Sequence, residues 1–230
     1  MSQQQFNQGD LIINGVSTAG GGEYGRVKID GVGTVEGDIV CIDFDCDGMT
    51  KIRGALAAIT MDADGMFRVE GDLSAERSVI DGYMKVKGSL KGDSFSINGQ
   101  LRVGGNCEIE SFRAEGAFEV SGLLNVGTMD VLLHGRGKAG EIGGETIRVK
   151  RKSSGPLNKL LSWIMPRFAT ELHVESIEGD EIELEYTHAE VVRGNRVRIG
   201  RGCSIGLVEY RTELQAHPGA KIGKEAKIGG

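Results

Sequence analysis

Residues 65–132 read GMFRVEGDLSAERSVID, GYMKVKGSLKGDSFSIN, GQLRVGGNCEIESFRAE and GAFEVSGLLNVGTMDVL in succession. Each block is 17 residues long and opens on glycine. The frame extends backwards, so corner glycines recur at Gly31, Gly48, Gly65, Gly82, Gly99 and Gly116. A second glycine series follows six residues later, at Gly37, Gly54, Gly71, Gly88, Gly105 and Gly122. Between the two runs an apolar series, Val35, Ile52, Val69, Val86, Val103 and Val120. Just beyond the second lies another, Ile39, Leu56, Leu73, Leu90, Cys107 and Leu124. Six aligned units without an insertion mark a repeat architecture.

Inside each unit, positions 3, 5, 9, 14 and 16 are mostly apolar, and the intervening positions carry Lys51, Arg53, Arg68, Glu70, Lys85 and Lys87. Alternation with period two is the signature of a strand with one buried face. Asp47, Asp64, Asp81, Asn98 and Glu115 each precede a glycine, and Asp-Gly and Asn-Gly favour tight turns. A 17-residue coil of short strands cannot bury its inner face alone. Stacked coils can, each strand pairing with its counterpart about 4.8 Å away. The predicted fold is therefore all-β, a parallel β-helix solenoid. Its core ladder is Val35, Ile52, Val69, Val86, Val103, Val120, Ile39, Leu56, Leu73, Leu90 and Leu124.

The remaining chain divides around this repeat. Residues 1–10 read as a flexible tail and 11–149 as the β-helix, with Ile13-Asn14-Gly15 an earlier unit one residue short. Residues 150–168 read as a basic amphipathic helix or linker, and 169–230 as an irregular β-helical region of short runs such as Ile182/Leu184 and Val197/Ile199. In the helix, Leu157, Leu160, Leu161 and Ile164 fall on one face, Pro156 suits the first turn and Pro166 ends it. Lys150, Arg151, Lys152 and Trp163 equip it either to lie on an anionic membrane or partner, or to cover a flank of the solenoid.

Composition sets limits. Glycine is 37 of 230 residues while proline is 3, which excludes collagen and proline-rich linkers. Aromatics are 5%, implying a thin, aliphatic core. Net charge is −6, against nucleic-acid binding, although residues 1–132 carry 11 basic and 20 acidic side chains and residues 133–230 carry 16 and 13. No apolar run reaches the length of a membrane span, and Met1–Asp10 lacks the pattern of a secretory signal. The expectation is a cytoplasmic chain with Cys41, Cys46, Cys107 and Cys203 as buried thiols.

Motifs for chemistry are weak. Asp43-Phe-Asp45-Cys-Asp47-Gly48 begins like a calcium loop, but its twelfth position is Gly54 rather than glutamate. Gly135-Arg-Gly137-Lys-Ala-Gly140 fits GxGxxG without a βαβ context. There is no GxxxxGK[ST] phosphate loop and no GxSxG. His134, His173, His188 and His217 include no pair at HxxxH spacing. No catalytic residue, cofactor or metal ligand is assigned. Ile199-Gly200 with Ile205-Gly206, and Ile222-Gly223 with Ile228-Gly229, resemble the hexapeptide repeat of β-helical acyltransferases, with His217 as a conceivable base.

The unit G-x-x-[KRE]-[VI]-x-G-x-[LI] with Asp-Gly corners resembles the bactofilins, polymer-forming cytoskeletal proteins of bacteria. The resemblance spans residues 11–132. It implies a right-handed β-helix that polymerises end to end without nucleotide. It also implies a bacterial scaffold for cell shape, envelope or motility machinery. The implied partners are further copies of the chain, the membrane surface and envelope proteins, and the alternative is an acyltransferase-like enzyme.

Overall fold

The structure is a computed structural model and describes residues 9–152 and 170–229. The chain forms two compact units, Met1–Gly105 and Asn106–Gly230. Each is an all-parallel β-solenoid, and no helix occurs among the described residues. The boundary falls inside the 17-residue repeat rather than at its end.

The first unit holds β1 (Leu11–Ile52), β2 (Leu56–Val69), β3 (Leu73–Val86) and β4 (Leu90–Val103). Its register repeats the sequence period: Ile39 pairs with Leu56, Leu56 with Leu73 and Leu73 with Leu90. Ile52, Val69, Val86 and Val103 form the parallel rung at the other end of each strand. Gly9 and Asp10, assigned to a tail on sequence, are tied to the first coil. The Gly25 amide donates to the Gly9 carbonyl at 3.3 Å, and the Arg26 amide to Asp10 Oδ1 at 2.9 Å.

The second unit holds β5 (Cys107–Arg151), β6 (Leu172–Leu184), β7 (Thr187–Ile199), β8 (Ser204–Ala216) and β9 (Lys221–Lys227). Here the step changes. Leu172 pairs with Thr187, 15 residues on, whereas Ser204 pairs with Lys221, 17 on. A register shift between Gly194 and Arg196 accommodates the difference across β7 and β8. Gly137 pairs with Leu172 across 35 residues because the stretch 153–169 intervenes.

The expected helix over 150–168 needs correction at its start. Lys150 and Arg151 end β5, continuing the alternation of Thr146–Val149, and the Glu185 amide donates to the Val149 carbonyl at 2.9 Å. The remaining contact residues of that segment, Leu157, Leu160, Leu161, Trp163 and Ile164, lie outside the described residues.

The core is not purely aliphatic. Phe44, Phe67, Phe95, Phe112 and Phe118 are fully buried, and the rings of Phe44 and Phe67 meet at 5.3 Å and 57°. Of the core ladder, no member is more than 2% exposed. The two glycine series serve different needs. Gly31, Gly48, Gly65, Gly82, Gly99 and Gly116 all have positive φ. Gly54 and Gly88 do not, but a Cβ there would stand 2.4 Å from Asp38 Oδ1 and 2.1 Å from Asp72 Oδ1. Those carboxylates accept the amides of Ala55 and Ser89, each at 2.7 Å, so the side chain of one coil satisfies the backbone of the next. Asn106 does the same for Leu123 in the second unit, at 3.0 Å.

Candidate functional site

A parallel solenoid leaves a strand edge at each terminus of its pairing order. In the second unit that edge is β9, whose inner side is paired to β8 through Ser204–Lys221 and Ile205–Ile222. Ile222, the register partner of Ile205, remains part-exposed whereas Ile205 is 2% exposed, and Ala226 and Ile228 are part-exposed nearby in the chain. Lys221, Lys224 and Lys227 punctuate the same strand. In the first unit the terminal coil begins at β1, with Ile12 60% and Val16 85% exposed. Its residues 9–25 carry Asp10 and Glu23 and no lysine or arginine. These edges offer unpaired backbone groups that a further strand can satisfy.

Along the outer faces, charged rungs join successive coils. Glu70 lies 3.1 Å from both Lys51 and Lys87, whose hydrogen bonds hold its carboxyl below the usual range. Arg26 bridges Asp43 at 3.2 Å and Asp45 at 2.9 Å. These pairs are solvated, so each adds little stability.

The acidic row read as a failed calcium loop is a strand face. Asp45 stacks on Asp62, and Asp47 on Asp64 and then Asp81. Partial burial raises the pKa of Asp62, and repulsion from Asp64, Asp45, Asp43 and Asp47 adds to it. A carboxyl raised in the folded state favours folding fully below its unfolded pKa, and loses that favour as pH rises through the folded value. At neutral pH the ionised Asp62 is therefore a burden. Asp62→Asn is expected to raise the melting temperature by about 1 °C at pH 7, because exposed substitutions act within about 0.5 kcal/mol. The gain should disappear below about pH 4, near the ordinary carboxylate pKa. Thermal scans at both pH values check it; a gain that persists at low pH would refute the repulsion argument.

All four cysteines are buried and unpaired. Burial pushes the thiols of Cys41, Cys46 and Cys107 up to about 12 and raises that of Cys203, so none is poised as a nucleophile. His217 lies in an exposed turn, where its Nδ1 accepts the Gly219 amide at 3.0 Å. That bond engages the Nδ1 lone pair of the neutral ring. Of the Ile-Gly pairs resembling hexapeptides, Ile205 stacks on Ile222 one coil on.

The basic residues expected to begin a contact helix are engaged within their unit. Lys150 reaches Glu183 at 3.5 Å and Lys152 reaches Glu115 at 3.3 Å. The Arg151 guanidinium sits 3.3 Å from the centre of the Tyr186 ring, a cation–π contact. No helix of the described residues is long and apolar enough to cross a membrane.

One cluster escaped the sequence reading. His173 and His188 are direct register partners, and Glu171 lies against both. Burial lowers the pKa of His173, with His188 and Arg136 acting in the same sense against Glu171. The visible signal was the 15-residue interval of Ile182–Val197 and Leu184–Ile199, which His173–His188 shares.

Comparison with known proteins is sparse. The chain is 41% identical over 108 residues to an uncharacterized protein of Bacillus subtilis, YhbF, covering 46% of this chain and 42% of the relative. It is 38% identical over 108 residues to a second, YhbE, covering 46% and 44%. The chain thus spans less than half the length of these curated relatives. No family model matches, and no solved structure matches.

Proposed function

We propose that this protein is a non-enzymatic, cytoplasmic scaffold of the bactofilin kind, right-handed in its coils, that self-associates end to end without nucleotide. The observation that carries the reading is β9, the last strand in the pairing order of the described residues, with Ile222 part-exposed opposite the buried Ile205 and Ile228 part-exposed beyond it. A second copy that docks a parallel strand there completes the backbone ladder and covers those side chains, at about 25 cal/mol per Å² of apolar area. Charge selects the partner edge. The terminal coil around β9 carries Lys221, Lys224 and Lys227 against Glu225, so two such ends repel. Residues 9–25 carry only acidic charge, together with the exposed Ile12 and Val16, and are the complementary surface. A head-to-tail contact of this kind does not close on itself and generates a filament. Association of that kind organises envelope, shape or motility components by multivalency, with clients of modest individual affinity.

Negative-stain electron microscopy of the full chain, over a range of concentrations without nucleotide or metal, tests the proposal. Filaments that lengthen with concentration are expected. Ile12→Lys combined with Val16→Lys should abolish them with the melting temperature unchanged, since both side chains are already exposed. Uniform small particles at every concentration up to about 100 μM would overturn the reading, that ceiling lying well above the ~1 μM dissociation constant of a moderately stable contact.

A further inference from the structure

We propose that Glu171, His173 and His188 form a binding site for one divalent transition-metal ion, with zinc the best fit to their donor set. The site is independent of the end-to-end contact.

The fold builds the constellation. Leu172 and Val174 are buried, so the alternation of β6 turns His173 outward between them. Thr187 and Ala189 do the same for His188 on β7. In-register parallel pairing then stacks the imidazoles, with ring centres 4.8 Å apart and planes 7° from parallel. Glu171, one residue ahead of β6, lays Oε2 3.0 Å from Nε2 of His188 and 3.6 Å from Nε2 of His173. One donor atom from each residue lies within 4.8 Å of the others, and all three residues are half-buried.

Zinc takes nitrogen and carboxylate ligands at about 2.0–2.2 Å, so neighbouring donors on a tetrahedral ion stand about 3.3 Å apart. The two distances from Glu171 bracket that value. The imidazole rings, stacked 7° from parallel, tilt toward one another on binding so that both in-plane lone pairs converge on one ion. Two histidines and one carboxylate are a zinc set that leaves a fourth position open. The carboxylate already lies against both Nε2 atoms, so an entering ion replaces the protons it faces there, which pass to Nδ1 or to solvent, and meets a carboxylate that cancels part of its charge. Around the cluster, Lys138 and Ser204 flank the two histidines in register, and Glu175 and Glu190 line the same surface hollow, offsetting the lysine.

The test is titration of chelator-treated, full-length protein with zinc alone by calorimetry, and with cobalt(II) followed by its visible absorption. One ion per chain is expected, with a dissociation constant of about 1 μM or tighter. His173→Ala and His188→Gln should each weaken binding at least tenfold, and His217→Ala should leave it unchanged. Melting curves of the metal-free variants distinguish ligand loss from misfolding, because half-exposed side chains are removed from a formed sheet. The proposal is overturned if the wild-type chain binds no ion at about 100 μM zinc. It is equally overturned if the variants bind like wild type, or if cobalt shows thiolate charge-transfer bands from a cysteine site.

Discussion

Gly99→Ala is expected to destabilise the first unit by about 3 kcal/mol or more, a large fraction of the stability of a typical domain. Gly99 has φ +139, and a Cβ there would stand 1.9 Å from the carbonyl oxygen of Gly82 and 2.8 Å from its carbon. Both obstacles are backbone, so no side chain can move aside. Gly82 is itself held above Gly65, Gly65 above Gly48 and Gly48 above Gly31, with hypothetical Cβ atoms 2.2, 2.4 and 2.4 Å from the carbonyl below. Opening one step by an ångström breaks the hydrogen bonds of two coils spaced about 4.8 Å apart. Gly15→Ala is the internal control. Gly15 also has positive φ, +92, but nothing lies within 4 Å of its Cβ position. Only conformational strain remains there, about 1–2 kcal/mol. Urea denaturation of the two variants separates the effects, and equal losses would show that the ladder is not packed as tightly as its geometry requires.

That ladder is why much of the fold was legible. Each rung, such as Ile39–Leu56–Leu73–Leu90, repeats the same demand at the same interval, so period and burial can be read together from sequence. What repeats at another interval was missed. Asp38, Asp72 and Asn106 recur every 34 residues, each facing an uncapped amide on the next coil, a pattern masked when all coils are treated as equivalent. In the second unit the step of β6 to β7 is 15, because the strand is 13 residues and its corner two, against 14 and three in the first unit. Residues aligned at 17 therefore do not meet, and His173 and His188 looked unrelated. The basic run at 150–152 read as the start of a helix because charge and leucine spacing carry no information about sheet pairing. Val149 is claimed by the Glu185 amide, and the two residues after it stay with the strand.

Phe118→Arg tests the inward assignment in the second unit and should abolish its cooperative folding. Phe118 is 2% exposed, and its ring meets that of Phe112 edge-on at 6.0 Å and 69°. A Cβ on Gly137 would come within 3.0 Å of the Phe118 ring, so the coil above leaves no channel for a longer side chain. An arginine cannot shed its proton, and burying an unpaired guanidinium costs several kcal/mol even after relaxation. Loss of the phenylalanine adds about 3–5 kcal/mol of missing packing. Together these exceed the margin of a typical domain. The parity of the strand makes the point sharper. Arg113 already sits exposed between the buried Phe112 and Ala114, so the same charge is tolerated one residue out of phase. Phe118→Leu, which keeps an apolar group of lesser volume, should instead cost about 1–2 kcal/mol and preserve a single melting transition. Circular dichroism melts of the two variants decide the matter. A Phe118→Arg chain that stays soluble and melts cooperatively near the wild-type temperature would mean that this side chain faces water.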